Sequence, residues 1–144
     1  MFESCLRKQE EIKALFAGCS SEDERYQKLI DLGKKQPKLD PKYKIPENIV
    51  SGCQSTVYLH AYLQDGVVIF EAESDALVSQ GLAVLLIKVY SGEPPETILK
   101  CAPTYLEALG ISSSLTPNRS NGLYSIHLKM KQMALRLFMQ GDSA

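Results

Sequence analysis

The segment from Ser55 to Glu73 constrains the fold most. Val57, Leu59, Ala61 and Leu63 alternate with Thr56, Tyr58, His60 and Tyr62, so apolar and polar side chains fall on opposite faces of a strand. Asp65-Gly66 matches a two-residue type I′ turn, and Val67 to Glu73 returns as the antiparallel partner. A two-stranded hairpin is only marginally stable alone, so helices have to cover its apolar face. The expected class is therefore α+β, a small antiparallel sheet packed against N-terminal, central and C-terminal helices, with Ile45 to Val50 as a candidate third strand.

Helical spacing flanks the hairpin on both sides. Glu3 to Phe16 sets Leu6, Ile12, Leu15 and Phe16 near one face, and Gly18 follows. Ser21 and Glu24 form a capping box ahead of Tyr26, Leu29 and Ile30, with Gly33 as the expected stop. Pro37, Pro41 and Pro46 among lysines read as an extended surface connection. Beyond the hairpin, Ser74 is the expected cap of a helix from Asp75 to Tyr90. That helix is apolar nearly all round from Leu82 to Ile87 and should be the central buried one. Pro94-Pro95 and Pro103 open two short helices, and Thr116-Pro117 starts a last one running through Phe138 and ending before Gly141. A chain of 144 residues is expected to form one domain over 1–144, burying roughly 68–70% of its unfolded surface.

A formal net charge of −1 leaves no positive field to neutralise a phosphate backbone, so no nucleic-acid partner is expected. No run approaches the roughly 18 apolar residues that a membrane span needs, and Met1 to Phe16 lacks the apolar stretch of a secretory signal. A soluble, cytoplasmic protein with reduced thiols is the expectation. Cys5, Cys19, Cys53 and Cys101 are spaced too widely for a C-x-x-C metal or redox motif.

Cys53 differs from the others in its setting. Gly52 precedes it, and Gln54 and Ser55 separate it from the strand, which places it on a turn. Glycine allows backbone conformations closed to other residues and leaves room for another protein's sulfur to approach. Attack on a sulfur atom needs an accessible thiolate, and a loop carried on a rigid sheet can supply one. The same residue reads equally well as a small buried hydrophobe at the edge of a strand. No cationic residue lies within four positions of it, so any activation has to come from elsewhere in the fold or from a partner.

The segment Ser51-Gly52-Cys53-Gln54-Ser55-Thr56-Val57-Tyr58 resembles the active-cysteine segment of the SufE family of sulfur acceptors. Glu73 to Leu82 resembles that family's entry into its central helix, and Leu115 to Leu123 the start of its C-terminal helix; Tyr26 to Gly33 and Pro46 to Val50 also fit. The resemblance implies a persulfide relay. Cys53 would take the outer sulfur from a pyridoxal-phosphate cysteine desulfurase of the SufS type, stimulate its turnover, and pass the sulfur to an iron-sulfur scaffold. The pyridoxal phosphate would belong to the partner, with no cofactor or metal held by this chain, which would act as an accessory rather than a stand-alone enzyme. By the same resemblance Asp75 and Arg119 would lie near the cysteine loop and shape docking, with Gly52, Gln54 and Ser55 in the loop that swings out. Without the resemblance, Asp75 reads as a charge favouring a helix N-terminus, whereas a cation such as Arg119 in a first helical turn is mildly unfavourable. Gly81 and Gly122 read as sites of close packing. Tyr58 and the basic Lys129, Lys131 and Arg136 depart mildly from the family pattern and bear on partner identity.

Three other readings compete. An iron-sulfur scaffold needs about three or four converging thiolate or imidazole ligands, and only Cys53 lies in a plausible ligand loop. A thiol hydrolase needs a base within hydrogen-bond reach, and seven residues of strand would carry His60 roughly 20 Å from Cys53, which leaves His127 without local support. A non-catalytic interaction module requires nothing of Cys53 at all.

Overall fold

The computed structural model describes residues 1–53, 55–110 and 117–142, with the side chains of 117–121 and 142 outside that description. In chain order it has α1 (Glu3–Phe16), α2 (Glu22–Lys34), 3₁₀ turns at Pro41–Tyr43 and Pro46–Asn48, strands β1 (Val57–Gln64) and β2 (Val67–Ser74), then α3 (Leu77–Tyr90), α4 (Pro95–Lys100), α5 (Tyr105–Ala108) and α6 (Pro117–Asp142). The class is α+β.

The two strands pair antiparallel in the register Val57↔Ser74 through Gln64↔Val67. Asp65 and Gly66 both take positive φ, 52° and 84°, as the type I′ turn requires. The register puts Val57, Leu59, Val68, Phe70 and Ala72 on one buried face. Burial fades toward the turn, where Tyr62 and Leu63 are exposed. On the other face Tyr43 stacks on His60 with ring centroids 3.6 Å apart, and Lys44 pairs with Glu73 at 2.6 Å. The connection before the hairpin thus covers part of its polar side.

Helix α3 lies at the centre, buried from Gln80 to Ile87 and again at Val89 and Tyr90. Each fully buried Leu or Val there contributes about 1.5–3 kcal/mol. Its neighbours are α1, α2, β2 and α6. Two buried tyrosines tie the short helices to it: the Tyr105 hydroxyl donates to the Leu85 carbonyl at 2.8 Å, and that of Tyr90 to the Cys101 carbonyl at 2.6 Å. Among the described residues no helix is long and apolar enough to cross a membrane.

Four sequence expectations are corrected. Ile45 to Val50 forms no strand, because Pro46 opens a 3₁₀ turn and lacks an N–H. Pairing there is limited to an Ile49–Tyr58 bridge and a hydrogen bond from Val50 N to Val57 O. Ser74 ends β2 rather than capping α3: its hydroxyl donates to the Thr56 carbonyl and accepts from Ala76 N. The helix begins at Leu77 with Ala76 as its N-cap, so Asp75 stands one position before the cap rather than in the first turn. On α1 the buried face is Cys5, Gln9, Ile12 and Phe16, with Leu6 and Leu15 exposed. Gly33 lies inside α2, which runs on to Lys34, and serves a helix crossing instead of a stop.

Candidate functional site

The loop from Ser51 to Thr56 joins the second 3₁₀ turn to β1 and passes over the N-terminal part of α6. Gly52 adopts φ +93°, a conformation closed to most side chains, and a Cβ built there would stand 2.5 Å from the Ser125 hydroxyl oxygen. Glycine at this position therefore does two things: it turns the chain, and it lets the loop lie against α6. The turn aims Cys53 inward.

Cys53 is half-buried, and its thiol contacts the Gly122 carbonyl at 4.0 Å. It lines a cleft of about 310 Å³ whose wall is built by Ile30 from α2, Leu77, Val78 and Leu82 from α3, and Ile126 from α6. Ser55 and Ser79 line the same cleft, and the Ser79 hydroxyl donates to that of Ser55 at 3.3 Å, linking the far end of the loop to α3. Among the described residues that line it, Ser55, Ser79 and Cys53 carry the only polar side chains. Burial pushes the Cys53 thiol above its ordinary value. At rest the site holds a protonated thiol in an apolar recess.

Of the residues singled out from sequence, Gly52, Cys53 and Ser55 come together here. Asp75 does not line this cleft. It is exposed and borders a separate polar depression with Lys44, Thr56, Tyr58, Glu73 and Ser74. Gln54 lies outside the described residues; Arg119 falls within α6, with its side chain outside them. Sequence reasoning missed Ser79, Ser125 and Ile30 as parts of the site. Ser79 did fall within the stretch that resembles the family's central-helix entry, whereas Ser125 and Ile30 carried no local signal.

Neither histidine lines the cleft. His60 is stacked on Tyr43, and His127 faces Tyr90 with ring centroids 5.2 Å apart. A Cys-His hydrolytic pair thus has no geometry to support it. Among the described residues no group of three or more His, Cys, Asp or Glu side chains is placed to hold a metal ion. Cys5 and Cys101 do approach one another, but they are buried under Gln9, whose amide reaches their sulfurs at 3.8 and 3.6 Å. Burial first, then the neighbouring Cys101 thiol, pushes Cys5 up to about 12.

Comparison with known proteins finds a family match and several relatives. The family profile described as SufE, an Fe-S metabolism associated domain, matches residues 10–134. The chain is 42% identical over 119 residues to an uncharacterized SufE-like protein of Synechocystis, covering 83% of this chain and 74% of that protein. It is 38% identical over 136 residues to SufE-like protein 1, chloroplastic/mitochondrial, of Arabidopsis thaliana, covering 94% of this chain and 37% of the plant protein. It is also 36% identical over 121 residues to the cysteine desulfuration protein SufE of Plasmodium vivax, covering 81% of this chain and 48% of that one. The chain therefore spans a little over a third of the plant relative and about half of the Plasmodium one. The solution structure of a hypothetical protein from Thermus thermophilus superposes with a TM-score of 0.76 at 25% identity, over 92% of this chain and 96% of that one.

Proposed function

The chain belongs to the SufE family, and on that premise we propose that Cys53 accepts sulfur from a cysteine desulfurase and carries it as a persulfide toward iron-sulfur cluster assembly. One observation carries this reading: the thiol sits on a glycine-hinged loop, in an apolar cleft that no histidine among the described residues lines. Such a site suits a reaction whose electrophile arrives on another protein.

The step balances without an external oxidant. The Cys53 thiolate attacks the outer sulfur of a persulfide on the desulfurase, a new S–S bond forms, and the bond to the partner's cysteine breaks. The partner leaves as a thiolate and takes up the proton that Cys53 gives away. Removing the product persulfide frees the desulfurase for another turnover, which is how the chain stimulates it. The pyridoxal phosphate needed to release sulfur from cysteine is the partner's, and this chain supplies only the thiol and its shelter. A second exchange delivers the sulfur to a downstream scaffold.

Because burial raises the thiol's pKa, Cys53 is a poor nucleophile at rest. The loop has to swing out on docking, exposing the thiol to water and to whatever cation the partner provides. In the test, the protein is mixed with a cysteine desulfurase and L-cysteine, and intact mass is recorded without reductant. Wild type gains one or more sulfur atoms, reversibly with dithiothreitol, and Cys53→Ser gains none. A wild type that stays unmodified with several desulfurases overturns the reading.

A further inference from the structure

The Ser55–Ser79 hydroxyl pair has no part in the transfer step described above, yet apart from Cys53 it supplies the only polar side chains among the described residues that line the cleft. A persulfide is more acidic than a thiol, so once loaded Cys53 carries its charge on the outer sulfur. An anion desolvated among Ile30, Leu82 and Ile126 seeks the available donors, and hydrogen bonds to a charged group are stronger than those between neutral ones. The cleft volume of about 310 Å³ far exceeds the 10–15 Å³ or so that one small guest needs.

We propose that Ser79, acting with Ser55, is the hydrogen-bonding residue that holds the outer sulfur of the Cys53 persulfide within the cleft. Ser79 lies near the start of α3, which is packed into the core, so its hydroxyl keeps its place when the loop moves. Ser55 travels with the loop. Loading turns the Ser79 hydroxyl from its neighbour toward the charged sulfur, and departure of the loop gives it back. This rests on reading Cys53 as a sulfur acceptor, but it concerns what happens to the sulfur after acceptance.

The experiment separates the two. In a Cys19→Ser background, the parent protein, Ser79→Ala and Ser79→Thr are loaded with inorganic polysulfide, whose terminal sulfur passes to the Cys53 thiolate while a shorter polysulfide anion leaves. Excess reagent is removed, and cyanide is added across a range of pH. Cyanide attacks the outer sulfur of the neutral S–SH form and leaves with it as thiocyanate, while the expelled Cys53 thiolate takes up the persulfide's proton; intact mass follows the loss. Without the Ser79 donor a larger share of the persulfide is neutral at a given pH. Ser79→Ala therefore loses sulfur about tenfold faster, the scale of one hydrogen bond to a charged group, and its pH profile shifts upward. Ser79→Thr keeps the hydroxyl and stays within about twofold of the parent. Iodoacetamide labelling of the unloaded thiol, which reports the loss of the Ser79–Ser55 bond to the loop, changes by well under tenfold in Ser79→Ala and stays at the parent rate in Ser79→Thr.

Equal loss rates and pH profiles in the parent and Ser79→Ala overturn the proposal. So does an alanine variant whose unloaded thiol labels faster by the same factor, since that describes a loosened loop, and so does failure of polysulfide to load Cys53. A parent that loads from polysulfide but not from any desulfurase overturns the acceptor reading and leaves the role of Ser79 standing.

Discussion

Gly33 of α2 and Gly81 of α3 meet backbone to backbone: a Cβ on Gly33 would stand 2.9 Å from the Gly81 amide nitrogen, and one on Gly81 2.3 Å from the Leu29 carbonyl oxygen. The crossing brings Ile30, on α2, to the wall of the Cys53 cleft. Alanine is normally the better helix former by about 1 kcal/mol, but here the added methyl meets main chain that cannot step aside. Gly81→Ala is expected to destabilise the fold by about 2 kcal/mol net, lowering the thermal midpoint by roughly 5 °C. A melt at unchanged or raised midpoint removes the crossing as a reason for glycine.

Gly52 against Ser125 is the second close approach, and its consequences are local. Gly52→Ala meets both the φ of +93° and the Ser125 hydroxyl, at a cost of about 1–2 kcal/mol for the backbone alone. The loop is expected to lift from α6 and uncover Cys53, so iodoacetamide labelling accelerates. Adding Ser125→Gly restores part of the protection, because it relieves the contact but not the dihedral. Slower labelling of Gly52→Ala contradicts this account.

What could be read from sequence divides along physical lines. The hairpin was legible because period-2 alternation and Asp65-Gly66 are local signals, and α3 because it is apolar on all sides. The buried face of α1 was not: Gln9 looks like a surface residue, yet it is 3% exposed, donating to the Ala102 carbonyl at 3.0 Å and accepting from the Thr104 hydroxyl at 3.2 Å. Those partners lie more than ninety positions away in sequence. Likewise Gly52 and Cys53 announced a loop, but the cleft that receives the thiol is assembled from α2, α3 and α6, and no window of sequence contains it. Asp75 borders a polar depression that Thr56 at the end of the loop also lines, outside the cleft itself.

Glu93, 4% exposed at its side chain, pairs with Lys8 of α1 at 2.7 Å and accepts from the Ser4 hydroxyl at 2.8 Å. Removing the cation strands a buried carboxylate. Lys8→Met is expected to cost about 3 kcal/mol, and Lys8→Met with Glu93→Gln less than that, since no buried charge is then left unpaired. Urea midpoints of the two variants check this ordering. If the double variant is the less stable, the pair does not work as described.

His127 supplies a stability effect with a definite pH window. Burial first, and the nearby Lys131 second, push its pKa down to about 4 from the ordinary 6.5, and its buried Nε2 has no hydrogen-bond partner among the described residues. The folded state therefore refuses a proton that the unfolded chain accepts throughout this interval. Stability rises with pH wherever the unfolded state binds more protons, so the contribution of neutral His127 is complete above pH 6.5 or so and is lost as pH falls toward 4. By pH 5 the loss reaches up to about 2 kcal/mol, less as water reaches the partly exposed ring. Carboxylates titrate lower in the same direction, so the wild-type slope alone is not diagnostic. His127→Phe keeps an aromatic ring against Tyr90 and removes the proton site. Its urea midpoint should fall less than that of wild type between pH 7 and pH 5, and parallel losses in the two proteins would mean that His127 is not the group responsible.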